Sequence, residues 1–145
     1  MTTETKIYSN LENKLDALTY YEKGLGYDQA DYDEKNRKKA LRCYRKAAKL
    51  GCAAAQCKLG EAYDWGDGVK EDKSKAAKYF RMAAEQGHTS AQFLLGVCYD
   101  SGEGIKQDKT KAKECYLKAA EQGNDSAIDA LNDLLFEEEM NKKMR

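Results

Sequence analysis

Five cysteines, Cys43, Cys52, Cys57, Cys98 and Cys115, and one histidine, His88, are the residues of this chain best suited to nucleophilic, general-base or metal chemistry. Their spacing assembles none of these. A zinc site needs clustered Cys and His ligands, and Cys52 with Cys57 is an i, i+5 pair that does not point to one cluster. A phosphate-cradling loop needs its glycines followed by Lys and Ser or Thr, which Gly66 with Gly68 and Gly102 with Gly104 lack. An odd number of thiols suits a reducing compartment better than a disulfide framework. No catalytic residue, no metal ligand and no cofactor is therefore expected.

The elements that carry these residues repeat. Ala55, Leu59, Gly60, Tyr63, Gly66, Gly68, Asp72, Ala76, Ala83, Ala84 and Gly87 recur 36 positions later as Ala91, Leu95, Gly96, Tyr99, Gly102, Gly104, Asp108, Ala112, Ala119, Ala120 and Gly123. A fixed period of this size marks a stacked solenoid, in which each two-helix unit buries its apolar face against its neighbours. Within a unit, Ala55, Leu59, Ala62 and Tyr63 space a first helix, A, and the Gly66 to Val69 turn ends it. Asp72 is placed to cap a second helix, B, whose inner side is Ala76, Tyr79, Phe80, Ala83 and Ala84. The alanine pairs predict close helix packing, so Leu at Ala83 or Ala119 is expected to overpack it by about 1–3 kcal/mol. His88, just after Gly87, falls where the next helix begins and is read as a turn or capping residue.

The pattern fades at both ends. Lys39, Ala40, Tyr44, Ala47, Ala48 and Gly51 match the second helix, but Ala30 and Tyr32 stand where the loop glycines belong, so the first connection must take another backbone path. Ser9 and Glu12 have capping-box spacing, and Leu11, Leu15 and Leu18 extend the first helix forward as a lid on the stack. Downstream, Ala127, Leu131 and Leu135 match a further first helix, which turns polar from Glu137. The expected organisation is a flexible 1–8 and one domain over 9–145. That domain holds repeats at about 19–54, 55–90 and 91–126 and a capping helix at 127–142.

Lys plus Arg number 25 and Asp plus Glu 25, so the formal charge is zero and no surplus of cations favours nucleic acid. The run Lys35, Arg37, Lys38, Lys39, Arg42, Arg45, Lys46 and Lys49 reads as a solvated helix face. Met1 to Ile7 is polar, without the apolar core of a signal peptide, and no stretch is long enough to cross a bilayer. No membrane association is expected, and the cytoplasm is the expected location. Asn124-Asp125-Ser126 fits a glycosylation pattern but occupies the repeat turn.

The repeated string Ala-x-x-x-Leu-Gly-x-x-Tyr-x-x-Gly-x-Gly, followed by Asp-x-x-Lys-Ala and Ala-Ala-Glu-Gln-Gly, resembles the Sel1-like repeat, a relative of the tetratricopeptide repeat with a longer, glycine-bearing loop. The resemblance is strongest over residues 55 to 123 and extends from about 19 to 136. It implies an all-α, right-handed α-α superhelical solenoid of antiparallel helix pairs that serves as an adaptor, holding another protein or peptide in its concave groove. By that analogy the outward side of each first helix lines the groove. At about 100° per residue that side carries Tyr21, Leu25, Asp28 and Gln29; then Cys57, Glu61, Asp64 and Trp65; then Phe93, Val97, Asp100 and Ser101. Such a mixture suits a segment with apolar anchors and Lys or Arg, and Trp65 is its foremost anchor. The competing reading packs Trp65 on the loop at Val69 and leaves the carboxylates merely solvated.

Two other functions stay open on sequence. A self-assembling module would stack into homo-oligomers through its terminal helices. A penicillin-binding or β-lactamase-like protein is implied by some secreted members with paired cysteines; Cys98 and Cys115 lie on the two helices of one unit, but the pair does not recur at Ala62 and Tyr79.

Overall fold

The computed structural model describes residues 2–145, which form seven helices and, among the described residues, no strand. They are α1 (Thr3–Gln29), α2 (Glu34–Lys49), α3 (Ala53–Trp65), α4 (Lys73–Glu85), α5 (Thr89–Ser101), α6 (Lys109–Glu121) and α7 (Asp125–Lys143). They group into two compact units, the first ending at Asp72 and the second beginning at Lys73. In the first, α2 packs on α1 and on α3; in the second, α5 packs on α4 and α6, and α6 on α7.

The 36-residue period is visible in what is buried. Ala40, Ala76 and Ala112 have no exposed surface, nor have Ala47, Ala83 and Ala119, and between them lie the buried rings of Tyr44, Phe80 and Tyr116. A ring of this size fits because the facing helix offers a glycine. A Cβ on Gly24 would lie 2.5 Å from Tyr44 Cε1, and one on Gly96 would lie 2.6 Å from Tyr116 Cδ1, far inside ordinary carbon contact.

Each even-numbered helix of the three repeats ends in the same way. The amides of Gly51, Gly87 and Gly123 bond to the carbonyls of Ala48, Ala84 and Ala120, while those of Cys52, His88 and Asn124 reach back to Ala47, Ala83 and Ala119. This double closure needs a left-handed residue between the helices, and all three glycines have positive φ. The next helix then starts at once. Its N-cap is Cys52, His88 or Asn124, and His88 Nδ1 accepts from Ala91 N at 3.3 Å as Asn124 Oδ1 accepts from Ala127 N at 2.8 Å. The capping role read for His88 is therefore observed.

The glycine loops after α3 and α5 also repeat. Gly68 lies so close to α2 that a Cβ would meet Leu41 Cδ1 at 2.8 Å, and one on Gly104 would strike the Lys73 carbonyl. The connection from α1 to α2 differs, as the missing glycines require: Ala30 keeps φ −67° and Asp33 caps α2 through Lys35 N.

Both terminal helices depart from expectation. Helix α1 begins at Thr3, capped by the Thr2 hydroxyl, and not at Ser9, so residues 3–8 of the stretch read as flexible are helical; Met1 lies outside the described residues. Leu11, Leu15 and Leu18 are 51%, 66% and 50% exposed, so the front of α1 does not bury the apolar stripe expected of a lid. In α7 the buried residues are Ala127 and Leu134, whereas Leu135, placed in the core by the 36-residue register, is exposed. Its counterpart Tyr99 lies in α5, which packs against both α4 and α6; α7 rests on α6.

Candidate partner-binding surface

The outward positions of α1, α3 and α5 follow from the glycine register, and the structure divides them into three groups. Asp28 and Asp100 are engaged within the protein. The Tyr44 hydroxyl donates to Asp28 Oδ2 in a short hydrogen bond, and Arg37 Nη1 donates to Asp28 Oδ1 at 2.6 Å. In the second unit the Tyr116 hydroxyl donates to Asp100 Oδ2 at 3.2 Å and Lys109 Nζ to Asp100 Oδ1 at 2.5 Å. Burial, then the carboxylate it bonds, pushes the Tyr44 phenol well above the usual range; burial and the Asp100 charge do the same to Tyr116. Both phenols therefore stay protonated donors. These two aspartates pin a buried tyrosine to the preceding helix, a role that sequence reasoning missed.

Arg37 extends the first of these clusters. Its Nε lies 2.9 Å from Asp67 Oδ2 as a charge contact without hydrogen-bond alignment, and the Tyr32 hydroxyl donates to Asp67 Oδ1 at 3.2 Å. The end of α1, the start of α2 and the loop after α3 are thereby tied through one guanidinium.

A second group is covered. Cys57, assigned to the outward face, is buried at 3% exposure, so that assignment is corrected. Burial, with the nearby Cys52, Cys57 and Glu61 adding to it, raises the Tyr21 phenol above its usual range. Burial, with the Glu61 carboxylate adding to it, pushes the Cys57 thiol up to about 12, which makes it inert. Tyr21 and Phe93 are half-buried, each with its ring centroid 5.8 Å from that of the tyrosine beneath it, Tyr44 and Tyr116.

The third group faces water. Trp65 is 78% exposed at the last turn of α3, so the alternative in which it packs on the loop at Val69 fails. Gln29 and Ser101, its counterparts on α1 and α5, are exposed too, and the Ser101 hydroxyl turns back to the Val97 carbonyl at 2.9 Å. Val97 is exposed, and Leu25, Glu61 and Asp64 are partly so; Glu61 has a long ion pair to Lys58, 3.8 Å. All five cysteines are free thiols, and no group of three or more His, Cys, Asp or Glu among the described residues is arranged to hold a metal ion. Among the described residues no helix is long and apolar enough to cross a membrane.

Helix pairs repeating at a fixed period, joined by glycine loops and seating a ring on a glycine, define the α-α repeat class. The Sel1 repeat profile matches residues 17–52, 53–88 and 89–124, and the chain belongs to the Sel1 repeat family. No curated protein matches it. Among solved structures, a Sel1 repeat protein from Oxalobacter formigenes is 35% identical with a TM-score of 0.75, over 88% of this chain and 98% of that one. A protective antigen of uropathogenic Escherichia coli displaying an SLR fold is 41% identical with a TM-score of 0.75, over 79% of this chain. The present chain spans only 25% of that antigen. Cysteine rich protein B of Helicobacter pylori, 22% identical with a TM-score of 0.68 over 90% of this chain and 98% of that one, shares the fold. Sel1 repeats are a non-enzymatic fold, and proteins built from them are generally protein-interaction scaffolds.

Proposed function

We propose that the chain is an adaptor that holds a peptide or protein segment on the outward faces of its first helices, α1 and α3 in the first unit and, separately, α5 in the second, by way of apolar anchors and Lys or Arg on the partner. The observation that carries this reading is Trp65, a large apolar side chain 78% exposed beside the partly exposed carboxylates of Glu61 and Asp64. Exposed indoles of this kind recur as interface anchors. Leu25, Phe93 and Val97 add apolar surface at the corresponding places, and Tyr21 and Gln29 flank them. Asp28 and Asp100 serve the site by fixing the helices. The five unbridged thiols suit a reducing, cytoplasmic setting.

The test is capture of partner proteins by wild type, Trp65→Ala and Phe93→Ala side by side, with far-ultraviolet circular dichroism as the folding control. Loss of capture with unchanged helicity supports the reading. Undiminished capture by both variants defeats it.

A further inference from the structure

We propose that the basic outer face of α2 docks the acidic outer face of α7 of a second copy of this chain. On α2, Lys35, Lys38, Arg42, Arg45 and Lys49 fall, at about 100° per residue, within an arc of about 100° opposite the buried side. Lys39 and Lys46 border it, their ammonium groups 5.5 Å and 5.2 Å over the rings of Tyr27 and Tyr20. The helix holds one acid, Glu34, which is paired with Lys38 at 2.7 Å. Arg42, Arg45 and Lys49 make no ion pair among the described residues. Cations therefore stand next to cations at i+3 and i+4 along the whole face, an arrangement that destabilises an isolated helix and that an anionic surface relieves.

Helix α7 offers the counterpart. Asp125, Asp129, Asp133 and Glu137 form an exposed i, i+4 ladder, and the first three make no ion pair among the described residues. The same arc holds Phe136, Met140 and Met144, which are 65%, 40% and 81% exposed. At about 1.5 Å per residue the acidic ladder is about 18 Å long and the basic one about 21 Å. The two match closely enough for flexible Lys and Arg side chains to reach every carboxylate. The aliphatic stems of those side chains cover Phe136 and the methionines, and a guanidinium stacks on the Phe136 ring. A nucleic acid or an anionic membrane would satisfy the α2 cations but leave this apolar surface of α7 in water. A second copy satisfies both. With zero formal charge overall, two copies carry no net repulsion. Two reciprocal contacts close a dimer about a two-fold axis, and one contact per copy builds an open chain.

The docking uses none of the residues proposed to hold a partner, so its failure and the failure of that reading are separable. The experiment is sedimentation equilibrium of the full chain at about 0.01 M and about 1 M salt, where the screening length falls from about 30 Å to about 3 Å. The expected result is a mass of at least twice the 16.3 kDa monomer at low salt and the monomer at high salt. The α2-reversed chain (Lys38→Glu, Arg42→Glu, Arg45→Glu) and the α7-reversed chain (Asp129→Lys, Asp133→Lys) each remain monomeric, and mixing them restores association. These positions are all exposed, and circular dichroism confirms the fold of each variant. A wild type that stays monomeric at low salt overturns the proposal, whether or not it binds phosphatidylserine vesicles or DNA. So does a mixture of the two variants that fails to associate.

Discussion

Substituting Gly96 by Ala probes the contact on which each helix pair depends. The new Cβ would stand 2.6 Å from both Cδ1 and Cε1 of Tyr116 and 3.3 Å from Cys115 Cβ. Carbon contacts are comfortable at about 3.5–4.0 Å, so the ring must retreat by about 1 Å. It has little room, being 2% exposed with its hydroxyl on Asp100. Overpacking costs about 1–3 kcal/mol, and a weakened hydrogen bond to the carboxylate adds up to about 2 kcal/mol. Alanine returns about 1 kcal/mol in helix propensity. At the middle of these ranges the net loss is about 2 kcal/mol, which at about 2–4 °C per kcal/mol lowers Tm by about 4–8 °C. Gly26→Ala is the control: Gly26 lies within α1, is exposed, and has nothing within 4 Å of the added carbon. There only the propensity gain of about 1 kcal/mol remains, and Tm rises. Thermal unfolding followed by circular dichroism measures both. A Gly96→Ala chain as stable as the wild type, or shifts of the same sign in the two variants, would refute the reasoning.

Tyr44→Phe keeps the ring but takes the donor from Asp28; a loss of about 1–2 kcal/mol in urea denaturation is expected, and none would show the aspartate to be a bystander. Cys57, with its thiol raised to about 12 from an ordinary 9.0, holds about a thousandfold less thiolate than a free cysteine near pH 8. Iodoacetamide should spare it in the folded chain and label it in urea, as read by peptide mass spectrometry; native labelling faster than that of Cys52 would contradict the burial. Lys109 is held charged above its ordinary 10.5, chiefly by its hydrogen bond to Asp100. A raised pKa means that its stabilisation is fully present below about 10.5 and fades as pH climbs through the folded value. The stability gap between wild type and Lys109→Met should therefore be constant from neutral pH to about 10 and close above it. A gap that widens in alkali would reverse the sign of the argument.

Much of the fold was legible because the 36-residue period aligns residues of identical duty. The alanine pairs, the rings at Tyr44, Phe80 and Tyr116, the loop glycines and the His88 cap could all be read by comparing one unit with the next. The register failed at Leu135 on α7, a helix that lacks the neighbours of its counterpart, and the apolar stripe at the front of α1 failed because Leu11, Leu15 and Leu18 stay exposed. The candidate surface was legible only by face. A helical wheel gives the direction of a side chain but not what another helix brings to it, so Tyr44 and Tyr116 claiming Asp28 and Asp100, and the cover over Cys57, were hidden. The recurrence of Gly24 and Gly96 four residues before Asp28 and Asp100 held the missing clue: the residue one turn on from a ring-seating glycine lies within reach of the ring's hydroxyl. The exposure of Trp65 was legible because it ends its helix.

The chain has one tryptophan, so its fluorescence reports on the proposed anchor alone. Titrating the protein with a panel of short peptides, apolar-basic against apolar-acidic, tests the central claim most directly. The account predicts that an apolar-basic peptide shifts Trp65 emission from that of a solvated indole towards the blue, saturably, and that apolar-acidic peptides do not. Emission unmoved by every apolar-basic peptide, or moved equally by the acidic ones, would contradict it.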